Sequence, residues 1–122
     1  MAEISVIIPT YNREWSLRRA LDSVRRQSFK DIEVVIVDDG STDDTMDLIF
    51  PYLSDTRFQV ISTANHGVSH ARNVGVLHSH GRWITFLDSD DEWKPHKLRE
   101  QLEYTQENHF LISQTTEIWN RN

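Results

Sequence analysis

Four short apolar runs set the rhythm of the chain: Ile4 to Ile8, Ile32 to Val37, Phe58 to Ile61 and Trp83 to Leu87. β-Branched residues are prominent in the first two, and all four are read as strands. Stretches such as Val34 to Val37 do not alternate with polar residues. That absence of alternation marks a parallel sheet covered on both faces rather than an antiparallel one half exposed to water.

Between the strands the period becomes helical. Leu17, Ala20, Leu21 and Val24 fall on one face, with Arg18, Arg19, Asp22, Arg25 and Arg26 on the other, and Asn12 is placed as the N-cap. A second helix starts from a capping-box variant, Ser41 with Asp44, and carries Met46, Ile49, Phe50 and Leu53 as its apolar stripe. Pro51 inside that stripe predicts a kink or an early end. Val68, Ala71 and Gly75 give a third helix a face of small residues, and Pro95 at the first helical position opens a fourth with Leu98 and Leu102. A last strand is placed from Phe110 to Ser113 or beyond. Strands alternating with helices predict an α/β fold: a Rossmann-like, doubly wound, mostly parallel sheet with right-handed crossovers and helices on both faces.

Composition narrows the class. The 122 residues suffice for one domain with a real core, residues 1–122, and exclude a second full one. A hydrophobic fraction of 38% is too high for a disordered chain. Thirteen Lys plus Arg against nineteen Asp plus Glu leave −6, which argues against nucleic acid as a partner. The absence of Cys removes disulfides, thiolate zinc sites and thiol nucleophiles. No stretch approaches a membrane span and the first ten residues do not form a signal peptide, so a cytoplasmic location is expected, with peripheral placement at the inner membrane face as the variant.

In such a sheet ligands bind beyond the carboxyl ends of the strands, so the residues that follow each strand carry the chemistry. These are Pro9-Thr10-Tyr11-Asn12, Asp38-Asp39-Gly40-Ser41, Asn65-His66-Gly67 and Asp88-Ser89-Asp90-Asp91-Glu92. Two acidic clusters are thereby expected on one edge. Convergent carboxylates repel one another unless a cation or hydrogen-bond donors compensate. A hard divalent ion, Mg²⁺ or Mn²⁺, shared with substrate phosphate oxygens is the ordinary solution. Neither G-x-G-x-x-G nor G-x-x-x-x-G-K-[ST] occurs, so phosphate finds no glycine cradle and the metal takes that part.

Bland readings compete with these. One of Asp38 and Asp39 is expected merely to cap the following helix. Tyr11 could offer its ring to a flat base or simply cover a helix end. Arg72 and Asn73 could meet phosphate or a base edge, or serve only in surface ion pairs. His66 and His70 stand four residues apart, but no third ligand is spaced to complete a zinc site. Trp83 and Trp93 are read as packing.

Taken in order, Ser5-Val-Ile-Ile-Pro-Thr-Tyr-Asn12, Val37-Asp-Asp-Gly-Ser-Thr-Asp43, Asn65-His-Gly-Val-Ser-His-Ala-Arg-Asn-Val-Gly75 and Phe86-Leu-Asp-Ser-Asp-Asp-Glu-Trp93 resemble the family 2 glycosyltransferases of the GT-A fold. The resemblance implies a nucleoside-diphosphate-sugar donor, a UDP-sugar being favoured, and a divalent metal, Mn²⁺ or Mg²⁺. It also implies inverting transfer to a saccharide or lipid-linked acceptor, as in cell envelope polysaccharide synthesis. By position, Pro9, Thr10 and Tyr11 resemble the residues around the base, and Asp39 the aspartate that hydrogen-bonds it. Arg72 matches a position that helps hold base or diphosphate. Asp88-Ser89-Asp90 is similar to the family's D-x-D signature, with Asp88 near ribose or sugar and Asp90 reaching the metal. Asp91 is a second candidate for the metal.

The same resemblance places the catalytic base in an acceptor-binding half beyond residue 122, so this chain is expected to supply the donor-binding half of a longer domain. An uncovered apolar edge would then favour a homo-oligomer. A non-catalytic nucleotide-sugar binding module stays open beside the enzyme, as does, more remotely, a receiver-like signalling domain. Against the receiver, Asp88, Asp90 and Lys94 share one loop instead of separate strands.

Overall fold

A computed structural model describes residues 2–107 and 118–120. Five strands form one sheet: β1 (Ile4–Thr10), β2 (Ile32–Asp38), β3 (Phe58–Ser62), β4 (Trp83–Phe86) and β5 (Ile118–Asn120). They lie in the order β3-β2-β1-β4-β5. The first four run parallel, with Ile4 opposite Ile32 on one side and Trp83 on the other. β5 runs antiparallel to β4, so the last strand turns back at the edge instead of entering by another crossover. The sequence expectation of a strand at Phe110 to Ser113 lies outside the described residues.

The helices are α1 (Leu17–Arg25), α2 (Thr45–Ile49), α3 (Val68–Leu77) and α4 (Lys97–Glu107), with a 3-10 turn over Phe50–Ser54. All seven residues of β1 are buried, because both faces of the sheet are covered. Ile4, Val6, Ile8, Val34 and Ile36 meet the apolar stripe of α1, together with Ile49, Leu98 and Leu102. Ile7, Val35 and Val37 face the other way, against Ala71 of α3. The uninterrupted apolar runs are thus explained: alternate residues serve opposite layers, and neither layer is water.

α3 lies unusually close to the sheet. A Cβ added at Gly75 would stand 2.4 Å from Ile7 Cγ2 and 3.2 Å from Val37 Cγ2, so helix backbone itself packs on β1 and β2. On the opposite layer a fully buried Gln27 joins the end of α1 to the start of α4. Its amide donates to the carbonyls of Ser23 (3.1 Å) and Lys94 (2.7 Å) and accepts from the Leu98 N–H (3.0 Å). Among the described residues no helix is long and apolar enough to cross a membrane.

The helix starts differ from those expected. Ser16, not Asn12, occupies the N-cap of α1. Asn12 adopts a left-handed φ of 51°, and its Oδ1 accepts from the N–H groups of Thr42 (2.8 Å) and Asp43 (3.3 Å). It therefore braces the loop after β2 rather than its own helix. Asp44 stands at the N-cap of α2 in place of Ser41, whose hydroxyl is engaged by Asp38. α2 ends at Ile49, just before Pro51, as expected, but Phe50 is 66% exposed and leaves the stripe. Its ring turns outward because the 3-10 turn changes the angular step between residues. Pro95 lies in the turn ahead of α4 and is not its first residue.

Gly75→Ala tests the close approach. Overpacking costs about 1–3 kcal/mol and the helix-propensity gain returns at most about 1, so a net loss of about 1–2 kcal/mol is expected. Urea unfolding reads this directly, and an unchanged midpoint would mean that α3 stands further from β1.

Candidate functional site

Strand order reverses between β1 and β4, and their carboxyl ends part to leave a cleft of about 290 Å³. Such a switch point is where an open α/β sheet accepts a ligand. Pro9, Thr10, Tyr11 and Arg13 line it from β1 and its turn. Asp39 closes one side with Val68 and Ala71, and Asp88, Ser89 and Asp90 form the other.

The acid after β2 is tied down. Asp39 is 4% exposed and accepts from the Thr63 hydroxyl (2.6 Å) and from the N–H groups of His66 (2.9 Å) and Gly67 (2.8 Å). Those N–H groups can reach it because Asn65 and Gly67 take φ values of 59° and 98°, which bend the loop inward ahead of α3. Burial pushes the Asp39 carboxyl up, but the Thr63 hydroxyl and the two N–H groups outweigh it and hold the group below its ordinary value. Its neighbour Asp38 is also buried and binds Ser41 within the loop, so neither acid is a helix cap.

The acids after β4 are held differently. The Asp91 N–H donates to the Asp88 carbonyl (3.0 Å), which closes a turn. The turn is fastened below by the Leu87 N–H to the Ile7 carbonyl (3.0 Å) and beside it by the Ser16 hydroxyl to the Ser89 carbonyl (2.9 Å). Asp88, Asp90 and Asp91 are all exposed, and one carboxylate oxygen from each lies within 4.8 Å of the others. Three hard oxygen donors grouped in this way suit an octahedral divalent ion of the Mg²⁺ or Mn²⁺ kind better than a soft metal.

Two arginines brace this group. Arg72 donates through Nη2 to Asp88 Oδ1 (3.2 Å) while its guanidinium lies 5.8 Å from the Phe86 ring centre. An exposed pair of this sort contributes only about 0–1 kcal/mol, so its effect is on the orientation of Asp88 rather than on stability. Arg19 donates to the Asp90 carbonyl (3.2 Å). Two buried polar atoms at the site find no hydrogen-bond partner among the described residues: Thr10 Oγ1 and Arg72 Nε. Unmet groups of this kind are costly unless an occupant satisfies them.

The cleft therefore gathers Pro9, Thr10, Tyr11, Asp39, Asp88 and Asp90, and the pairing with Asp88 and the carboxylate group bring in Arg72 and Asp91. His66 and His70 meet edge to face with ring centres 4.8 Å apart, and among the described residues no third ligand joins them. Trp83 and Trp93 are buried. Arg13 lines the cleft as well and is not among the site residues that the sequence pointed to. The signal for Arg13 was its position three residues past the end of β1, in the loop that reaches the cleft.

Residues 5–120 match the family model described as Glycosyl transferase family 2. A glycosyltransferase of Rickettsia bellii without an assigned role is 42% identical over 116 residues, which is 94% of this chain but 17% of that protein. S. aureus TarS 1-349, solved in complex with UDP-GlcNAc, superposes with a TM-score of 0.82 at 34% identity, over 89% of this chain and 32% of that one. The mannosyltransferase PcManGT of Pyrobaculum calidifontis, in complex with GDP-Man and Mn²⁺, gives 0.79 at 25% identity, over 84% and 32%. The chain thus spans less than a third, in the first case less than a fifth, of the proteins it resembles.

The depressed Asp39 carboxyl has a pH consequence. A group whose pKa is lower folded than unfolded stabilises above the unfolded carboxylate value of about 3.9, and that contribution is lost as pH falls through the folded value. Asp39→Asn should be less stable than wild type at pH 7 by about 1–3 kcal/mol, and the gap should narrow below about pH 4. Urea midpoints taken from pH 7 to pH 3 check this; a gap that stays constant across the range would contradict it.

Proposed function

The chain belongs to glycosyl transferase family 2, and on that premise we propose that it works as a metal-dependent, inverting glycosyltransferase. Its cleft takes the nucleoside diphosphate of a sugar donor, a UDP-sugar for preference, and the sugar passes to a saccharide or lipid-linked acceptor. The observation that carries this reading is a single cleft with an aromatic ring and a hydrogen-bonded buried aspartate on one side and Asp88 and Asp90 on the other, grouped with the adjacent Asp91 carboxylate. A base with one flat face and one imide edge suits the first side, and a charged diphosphate suits the second.

On the base side, Tyr11 is 40% exposed and presents its ring at the mouth of the cleft beside Pro9. The Asp39 carboxylate, held in place by Thr63, His66 and Gly67, faces the cleft as an acceptor of the kind a base N–H would meet. Thr10 Oγ1, buried without a partner, gains one from the nucleoside.

On the diphosphate side, Asp90 and Asp91 would hold a divalent ion, Mn²⁺ or Mg²⁺, for which their oxygen donors and spacing are suited. Held there, such an ion would supply Lewis-acid stabilisation of charge that develops on the departing nucleoside diphosphate. Asp88, oriented by Arg72, is turned toward a ribose or sugar hydroxyl, and its carboxylate accepts that proton in a hydrogen bond. Every carboxylate in the cleft thereby has a task on the donor. The general base for the acceptor hydroxyl is accordingly assigned to a carboxylate outside it.

Calorimetric titration with UDP tests the reading. Binding should require Mn²⁺, and Asp90→Ala should weaken it by at least about tenfold. Equal affinity in EDTA, or in the variant, would overturn the assignment of the ion to this turn.

A further inference from the structure

Arg72, Arg19 and Arg13 surround the acidic rim, and they differ in what they hold. Arg72 is paired with Asp88, and Arg19 with Glu92 at 3.6 Å and with the Asp90 carbonyl. Arg13 lines the cleft itself, yet among the described residues its guanidinium makes no ion pair and no hydrogen bond. Glu14 and Asp43 are close along the backbone path, since the Glu14 N–H donates to Asp43 Oδ2 at 3.4 Å, but neither carboxylate takes it.

Its backbone is nonetheless fixed. The Arg13 N–H donates to Thr45 Oγ1 (3.1 Å), which binds it to the start of α2. Its carbonyl accepts from the N–H groups of Ser16 (3.1 Å) and Leu17 (2.9 Å), which binds it to the start of α1. The guanidinium rests over the ring of Trp15, 5.7 Å from its centre, while Trp15 is 69% exposed. Stacking occupies the face of the guanidinium and leaves the N–H groups at its edge able to donate. Ser16, next in sequence to Trp15, holds the Ser89 carbonyl, so this stacked pair stands beside the turn that carries Asp88 and Asp90.

A fork of donors on a fixed stem, at the acidic side of a cleft and without an anionic partner, matches an anionic ligand with paired oxygens. We propose that Arg13 binds the diphosphate of the donor, and that Trp15 is the positioning residue that holds the guanidinium there. This rests on the reading of the cleft as a nucleoside-diphosphate site. The guanidinium then adds a positive charge beside the ion-binding carboxylates, so that charge on the departing diphosphate would be met by it as well as by a bound ion.

The test compares uridine with UDP, by calorimetry in saturating Mn²⁺, for wild type, Arg13→Gln, Arg13→Lys and Trp15→Leu. Wild type should bind UDP more tightly than uridine. Arg13→Gln should leave uridine within about twofold and weaken UDP by about 10- to 100-fold, the loss of a charge-assisted bidentate contact. Arg13→Lys should recover part of that loss, because charge returns without the fork. Trp15→Leu should weaken UDP selectively as well, by less. Unchanged UDP affinity in Arg13→Gln, or equal weakening of uridine and UDP, would overturn the proposal while leaving the nucleotide reading standing. Wild type that binds neither ligand would overturn that reading and the role of Arg13 with it.

Discussion

Burial of β1 on both faces is the constraint from which the remaining architecture follows. A strand with no wet side cannot carry charge along its length, and the seven residues from Ile4 to Thr10 are all buried. Polar chemistry is displaced to the ends. Because β1 to β4 run parallel, their carboxyl ends share one edge, and the reversal of order beside β1 opens the gap between two of them. Gly75 sharpens the effect by letting α3 settle on β1, which carries Val68 and Ala71 at its beginning into the wall of the cleft.

The two acidic turns solve the same electrostatic problem in opposite ways. Asp39 is buried and charged, and neutral donors from Thr63, His66 and Gly67 stabilise it, with a lowered pKa as the result. Those same bonds shape the loop ahead of α3, so one carboxylate is both a structural anchor and a wall of the site. Asp88, Asp90 and Asp91 stay in water and keep their oxygens largely uncommitted. Structure is spent on holding their backbone, through Leu87, Ser89 and Ser16, instead of on neutralising their charge. A ligand or ion arriving there replaces solvent, whereas one arriving at Asp39 meets a carboxylate already held by protein donors.

Much of the fold was legible because it depends on period and side-chain type. The four parallel strands, the stripe of α1, and Ala71 and Gly75 on the small face of α3 all follow from burial, which acts on residue identity alone, whereas Val68 of that face stays exposed at the cleft. Helix starts were less legible. Asn12, Ser41 and Pro95 each carry a recognised start signal, yet other partners claim two of them: Asn12 braces the distant Thr42 and Asp43 N–H groups, and the Ser41 hydroxyl turns back to Asp38 within its own loop. Gln27 left no mark at all, since a polar residue at the end of an amphipathic helix reads as exposed until Lys94 and Leu98 are brought against it.

What the amino-acid order determined unaided was which residues leave the sheet at its carboxyl edge, for the directions of parallel strands and the punctuation at Pro9, Gly40, Gly67 and Asp88 decide that locally. What only the tertiary structure decided was the state of each charge once there. Among the described residues Asp39 is satisfied, Arg72 is paired and Arg13 is not, because the partners come from segments about 16 to 28 residues away that meet only across a formed sheet. Burial can be read from one side chain at a time, whereas a hydrogen bond needs two groups brought together in space.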